Sequence, residues 1–400
     1  MLKPELLAPA GNREKAILAF KYGADAVYVG GNVFGLRKYA DNFQLAQLQQ
    51  LIDYANKHQK KVYLVLNAFA HNTDIEPIID YLKACERIAP HAFIISDIGV
   101  AQLASQYTTV PIHVSTQASV THALGCKFWQ TLNAKRMILA REVNLAHCKT
   151  IIEQTGMELE VFVHGAMCAS YSGKCVISNY TAGRDSNRGG CVQSCRHRYN
   201  LIDPQTKQVT TSTHIMNAKD LMGIDQLAYS MQVGIASLKI EGRMKSNLYV
   251  ANAVGVYRRA IDYVYQCLVD NQAIDQSQLD GYKQQLMTVS NRSFSMGGLE
   301  QRPQGESINY VFSNYNKSIQ YIGMIRDKDA QGRLVCDVKS GFNPADQLRL
   351  VSPDCTMTAI EQWTCTDSMA NPIDNAKPNT VVRLDTTVKA DPFCLLVKDV

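Results

Sequence analysis

Four cysteines, Cys168, Cys175, Cys191 and Cys195, stand in one Gly- and Ser-rich stretch with six, fifteen and three residues between them. Five Lys/Arg side chains and one carboxylate, Asp185, lie with them between Gly165 and Tyr199. Four thiolates can hold zinc tetrahedrally or an iron–sulfur cluster. Zinc ribbons favour paired Cys-x-x-Cys knuckles, and this stretch has none. Wide, irregular spacing among Gly and Ser suits a cubane cluster better, because backbone amides and hydroxyls can donate to its sulfides. A nucleophilic cysteine is the third possibility; it needs a base, and His164 or His197 could serve. Cys85, Cys126, Cys148 and Cys267 fall in helical patterns and read as core residues.

The elements that must position these groups alternate along the chain. Short β-rich runs are expected at 5–8, 26–30, 61–67, 92–96, 112–115, 136–140, 159–164 and 237–241, with amphipathic helical patterns between the first seven. Asn12 is a candidate helix N-cap, and Ser246 another for a long helix over 247–268. Eight βα-type strands predict an α/β fold, a (β/α)8 barrel of the triosephosphate-isomerase type. The rival open sheet would carry a Gly-x-Gly-x-x-Gly after its first strand, which is missing. More than 70 residues separate the seventh and eighth strands. The cysteine-rich insertion, about 165–215, occupies most of that span, followed by a helical-looking stretch over 219–231. Insertions of this size after a barrel strand are usually functional. The barrel domain with its insertion is expected over 1–300. Six short strands from about residue 309 to 400 predict a small C-terminal β-barrel.

Barrel chemistry sits at the C-terminal ends of the strands. The residues there are Asn67, Asp97, Ser115-Thr116-Gln117, Arg141-Glu142, His164 and Glu241-Gly242-Arg243. Arg141, Arg243 and Lys239 suit a carboxylate or phosphate, Arg bidentately. Glu142, Glu241 and His164 are candidate acid–base groups. The catalytic set is therefore taken as Arg141, His164, Glu241 and Arg243. His113, inside the fifth strand, reads as structural, and Arg37 as a solvated loop residue.

Composition narrows the class. The formal charge is +5, and residues 301–400 carry 11 Lys/Arg against 12 Asp/Glu, so the positive excess belongs to the first 300 residues. Such a balance is compatible with RNA without requiring it. No apolar run approaches the roughly 20 residues of a membrane helix, and the opening MLKPELLAPAG has no apolar signal core. The expected place is the cytoplasm, where twelve cysteines do not read as six disulfides.

The stretch Glu160-Val-Phe-Val-His-Gly-Ala-Met-Cys168-Ala-Ser-Tyr-Ser-Gly-Lys-Cys175-Val-Ile-Ser178 resembles, at every fixed position, the diagnostic pattern of the collagenase-like peptidase family U-32. Pro4 to Gly11, Gly23 to Gly31, Leu36 to Phe43, Asn217 to Leu221 and Ser237 to Ser246 resemble other family segments. The tail containing Tyr321-Ile-Gly-Met is similar to that of a branch that hydroxylates tRNA. The resemblance implies an iron–sulfur protein that forms 5-hydroxyuridine at the wobble position of tRNA. It implies a 4Fe-4S cluster on Cys168, Cys175, Cys191 and Cys195, with prephenate as the small carboxylate co-substrate. Some relatives place a cysteine where this chain has Met222. Lys174, Arg184, Arg188, Arg196 and Arg198 would then attract tRNA phosphates. Two rivals stand beside this reading. One is a metal-dependent peptidase, although neither His-Glu-x-x-His nor a Ser/His/Asp arrangement is legible. The other is a non-catalytic RNA-binding scaffold with structural zinc.

Overall fold

The computed structural model describes residues 1–32, 34–35 and 42–400; Arg37 lies outside the described residues. Strands and helices alternate from the start: β1 (Glu5–Pro9), α1 (Arg13–Lys21), β2 (Ala26–Gly30), α2 (Leu45–Lys57), β3 (Lys61–Leu66), α3 (Ile75–Ile88), β4 (Ala92–Ile95), α4 (Ile98–Tyr107), β5 (Ile112–Val114), α5 (Ala123–Gln130), β6 (Ala134–Ile138), α6 (Leu145–Thr155) and β7 (Glu158–Gly165). An insertion follows, with α7 (Ile177–Ala182), a hairpin of β8 (Tyr199–Ile202) and β9 (Val209–Thr213), then β10 (Asp220–Met222) and α8 (Leu227–Val233). The eighth parallel strand, β11 (Ser237–Ile240), pairs with both β7 and β1 and closes the barrel. The strands are buried on both faces, as parallel strands wrapped by helices must be.

Local chemistry starts the helices where expected. Asn12 Oδ1 accepts from Lys15 N at 3.0 Å, and Ser246 Oγ accepts from Tyr249 N at 3.3 Å ahead of α9 (Asn247–Val269). The stretch 219–231 is not one helix. Asp220–Met222 is instead drawn onto the end of β7 as an antiparallel strand. Gly223 N is then satisfied by Val163 O at 2.8 Å and by the Tyr257 hydroxyl at 3.1 Å, so helix begins only at Leu227.

A polar layer crosses the barrel interior. Arg136 Nη1 lies 2.6 Å from Glu5 Oε1 and 3.4 Å from Glu160 Oε2, and Lys239 Nζ lies 2.9 Å from Glu160 Oε1. Tyr63 donates to Glu5 at 2.7 Å, and His113 rests edge-on against Tyr63. Burial alone would raise the Glu5 pKa; Arg136, Tyr63 and Lys61 together outweigh it and hold the carboxyl below its ordinary value. His113 is thus part of the barrel floor.

After α9 come α10 (Gln276–Met287) and β12 (Phe294–Ser295), then seven strands: β13 (Ile319–Lys328), β14 (Leu334–Val338), β15 (Leu348–Val351), β16 (Met357–Ile360), β17 (Trp363–Thr366), β18 (Val381–Thr386) and β19 (Leu395–Asp399). They form an antiparallel half-barrel ordered β16-β15-β19-β13-β14-β18-β17, with its own core around Ile322, Cys336, Leu384 and Leu396. Met357–Ile360 and Trp363–Thr366, two residues apart in the chain, take the two opposite edges of this sheet as β16 and β17. The half-barrel docks on α9 and α1. Tyr22 donates to Val351 O at 2.9 Å, and Arg326 pairs with Glu14 at 2.6 Å. A Cβ on Gly255, midway along α9, would stand 2.1 Å from Cys355 Sγ, so only glycine allows this approach. Among the described residues no helix is long and apolar enough to cross a membrane.

Candidate functional site

The insertion folds back over the C-terminal end of the barrel and is tied to three of its loops. Arg141 N donates to Ser172 Oγ at 3.1 Å, Ser172 N to Glu142 Oε1 at 3.1 Å, and Ser119 Oγ to Ser172 O at 2.5 Å. On the other side Phe69 N donates to Asn187 O at 3.0 Å, and Arg188 reaches Asp74 at 2.6 Å. Between these anchors lies a cavity of about 150 Å³. All four insertion cysteines line it, together with Asn67, Ser115, Thr116, Gln117, Arg141, Lys239, Glu241 and Arg243.

Arg141 is the hub. Its guanidinium stacks on Phe162 at 4.1 Å, lies 3.6 Å from Glu241 Oε2 and 3.7 Å from Cys168 Sγ. Arg243 is buried, and its Nη2 donates to Asn42 Oδ1 at 2.9 Å. Its guanidinium lies flat over Gly30 at the end of β2, where a Cβ would meet Nη2 at 2.4 Å. Glu241 is the only carboxylate on the cavity wall among the described residues. This arrangement can hold a small anion against Arg141 and Arg243 with one carboxylate beside it.

The four sulfurs share the cavity without being drawn together: among the described residues no three Cys, His, Asp or Glu side chains stand close enough to chelate an ion. The strongest metal-ligating side chains of the wall are nonetheless four thiols and one carboxylate, Glu241. Burial pushes the Cys195 thiol up, and Arg196 opposes that rise. Four thiols on one wall, with Arg141 at one of them, fit a group that takes sulfur ligands. Cys85, Cys126, Cys148 and Cys267 are buried in the core.

Several expected site residues are placed elsewhere. His164 is fully buried and its ring sits among Tyr249, Tyr257 and Phe294, 5.3–5.7 Å between centroids. The cause is a bulge. Lys239 pairs with Phe162, but Ile240 pairs with His164, so Val163 is an extra residue. Phe162 and Lys239 face the cavity; after the bulge His164 takes the outward parity of Ile240. Neither ring nitrogen has a partner among the described residues, and burial pushes the pKa down to about 3. The structure thus sets His164 apart from the cavity in which an acid–base role was expected of it. Glu142 anchors Ser172, and Asp97 caps α4 through Val100 N at 3.0 Å. Lys239 is committed to Glu160.

The loop cations are also mostly committed. Arg196 is buried and donates to Asn217 Oδ1 at 2.9 Å and Met167 O at 2.5 Å. Arg188 holds Asp74, and Arg198 donates to Ser212 O at 3.0 Å. Lys174 is exposed. Two exposed aromatics on the same insertion, Tyr171 and Tyr180, went unremarked in the sequence.

The displacement of His164 can be tested. His164→Phe is expected to leave activity unchanged and to reduce acid sensitivity. The unfolded chain protonates this group near 6.5 and the folded chain only near 3. Its stabilising contribution is therefore complete above pH 6.5 and shrinks as pH falls toward 3, by up to about 1.4 kcal/mol per pH unit. Urea unfolding at neutral and mildly acidic pH checks this: the variant should lose less stability than the parent. Loss of activity in a well-folded variant would return the imidazole to the chemistry.

Residues 11–309 match the model of peptidase family U32, and the chain belongs to that family. It is 35% identical to tRNA hydroxylation protein P1 of Bacillus subtilis, over 99% of this chain and 95% of that protein. It is 33% identical to tRNA hydroxylation protein P of Escherichia coli, over 88% of this chain and 87% of that protein. A Porphyromonas gingivalis protein named collagenase is 30% identical over 87% of this chain and 86% of that protein.

Proposed function

We propose that this protein is an RNA-modifying enzyme that hydroxylates the wobble uridine of tRNA to 5-hydroxyuridine, with a 4Fe-4S cluster and a prephenate-type carboxylate as co-substrate. The observation that carries the reading is that four thiols, two arginines and one carboxylate line a single cavity, in a chain similar over nearly its whole length to proteins named for tRNA hydroxylation. Cys168, Cys175, Cys191 and Cys195 would hold the cluster, which when bound supplies electron transfer or a Lewis-acidic iron. Arg141 and Arg243 hold the carboxylate of the co-substrate. Glu241 keeps Arg141 oriented and is the acid–base group of the cavity.

The test is deletion of the gene followed by mass spectrometry of bulk tRNA. Wobble 5-hydroxyuridine should disappear and return with the intact gene. Unchanged modification in a strain without a redundant route rejects the proposal. The relative named collagenase supports a second reading, a metal-dependent peptidase. Cleavage of gelatin by the purified, zinc-loaded protein, abolished by Glu241→Gln, would favour it.

A further inference from the structure

A groove of about 960 Å³ leads out of the cysteine cavity and runs between the barrel and the C-terminal half-barrel. It shares Arg141, Cys168, Glu241 and Arg243 with the cavity, so the two spaces are continuous. Six cations line it, Arg141, Arg196, Arg243, Lys245, Arg292 and Lys317, against one carboxylate, Glu241. Arg141 and Arg196 are held by partners already described, and Arg292 lies 4.0 Å from buried Asp220. Lys245 and Lys317 have no carboxylate within ion-pair distance among the described residues; buried Asp220 acts on Lys245 only from beyond that distance.

Tyr315 organises this patch. The Lys245 Nζ lies 3.7 Å and the Arg292 guanidinium 4.2 Å from its ring centroid. Lys245 Nζ is further steered by Ser290, whose hydroxyl and carbonyl oxygens accept at 3.2 and 3.3 Å. Burial brings the Lys245 pKa down to about 8, the direction an anion in the groove would reverse. Cations interleaved with aromatic rings along a channel are the chemistry that follows a single-stranded nucleic acid backbone. A small carboxylate would need neither the length of this groove nor six cations.

We propose that the groove is the track for the single-stranded RNA flanking the nucleotide in the cavity. Lys245 and Lys317 hold its phosphates, and the half-barrel serves as one wall of the RNA site. This rests on the reading of the protein as an RNA-modifying enzyme. The test uses the full chain and a fluorescent anticodon stem-loop RNA, with binding followed by anisotropy across a salt series. Lys245→Gln with Lys317→Ala should weaken binding by about tenfold or more, and should make the slope of log affinity against log salt shallower by about 0.7 for each phosphate that is no longer neutralised. Lys127→Ala, on the outer helix α5, should change neither, and circular dichroism should show all variants folded. A double variant with the parent's affinity and slope overturns the groove while leaving the RNA reading intact. If the parent itself binds no RNA, both fall together.

Discussion

If the proposed function holds, replacing Cys168 or Cys175 by Ala is expected to remove bound iron and its visible charge-transfer absorption from protein purified without oxygen, and to take wobble hydroxylation to background. Cys85→Ala and Cys148→Ala are expected to leave both in place. The contrast follows from where the thiols stand. Cys168 and Cys175 line the cavity at the barrel mouth, and a cluster that loses one of four thiolates loses a covalent tie. Cys85 and Cys148 are packed in the core, where burial pushes each thiol up to about 12, so neither offers a thiolate. The two core substitutions each cost only the packing of one sulfur. Metal analysis separates the cluster from its rival, because zinc in place of iron would make the site structural. Iron and absorption that survive the Cys168→Ala/Cys175→Ala double substitution would show that the ligand set is wrong.

Glu160→Leu is expected to be the most destabilising single change in the barrel, by roughly 3–5 kcal/mol. Glu160 is 0% exposed and holds Lys239 at 2.9 Å and Arg136 at 3.4 Å. Its removal leaves Lys239 buried with no counter-charge, next to the aromatic faces of Tyr28 and Phe162. Arg136 still has Glu5 and Glu158, so most of the loss belongs to Lys239. Adding Lys239→Met should then recover most of the stability, since removing both members of a buried pair is far milder than removing one. A double-mutant cycle read from denaturant midpoints measures this coupling. A Glu160→Leu protein as stable as the parent would mean that the layer is solvated and contributes little.

The barrel was legible because each strand is a short apolar run bounded by turn residues, and parallel strands buried on both faces keep that signature. The insertion was legible from the cysteines. What failed to show is what depends on partners far away in the chain. His164 stands two residues beyond inward-facing Phe162, so strict alternation aims it into the cavity; the extra residue at Val163 is a property of the pairing with β11, which no local pattern encodes. Arg196 and Arg188 look like free loop cations until Asn217 and Asp74 are brought beside them. Lys245, Arg292 and Tyr315 lie in three separate segments and become one patch where the bridge between Asn291 and Asn316 brings Tyr315 beside Arg292.

The order of strands around the barrel also sets a schedule for synthesis. The closing strand, β11, seats between β7 and β1, and it leaves the ribosome after every cysteine of the insertion. Until residue 240 has emerged, the nascent chain has no closed barrel, while all four thiols are already outside. A cofactor-delivery factor acting during translation would therefore meet them on an open sheet, before the barrel floor, the mouth loops and the half-barrel wall enclose the cavity.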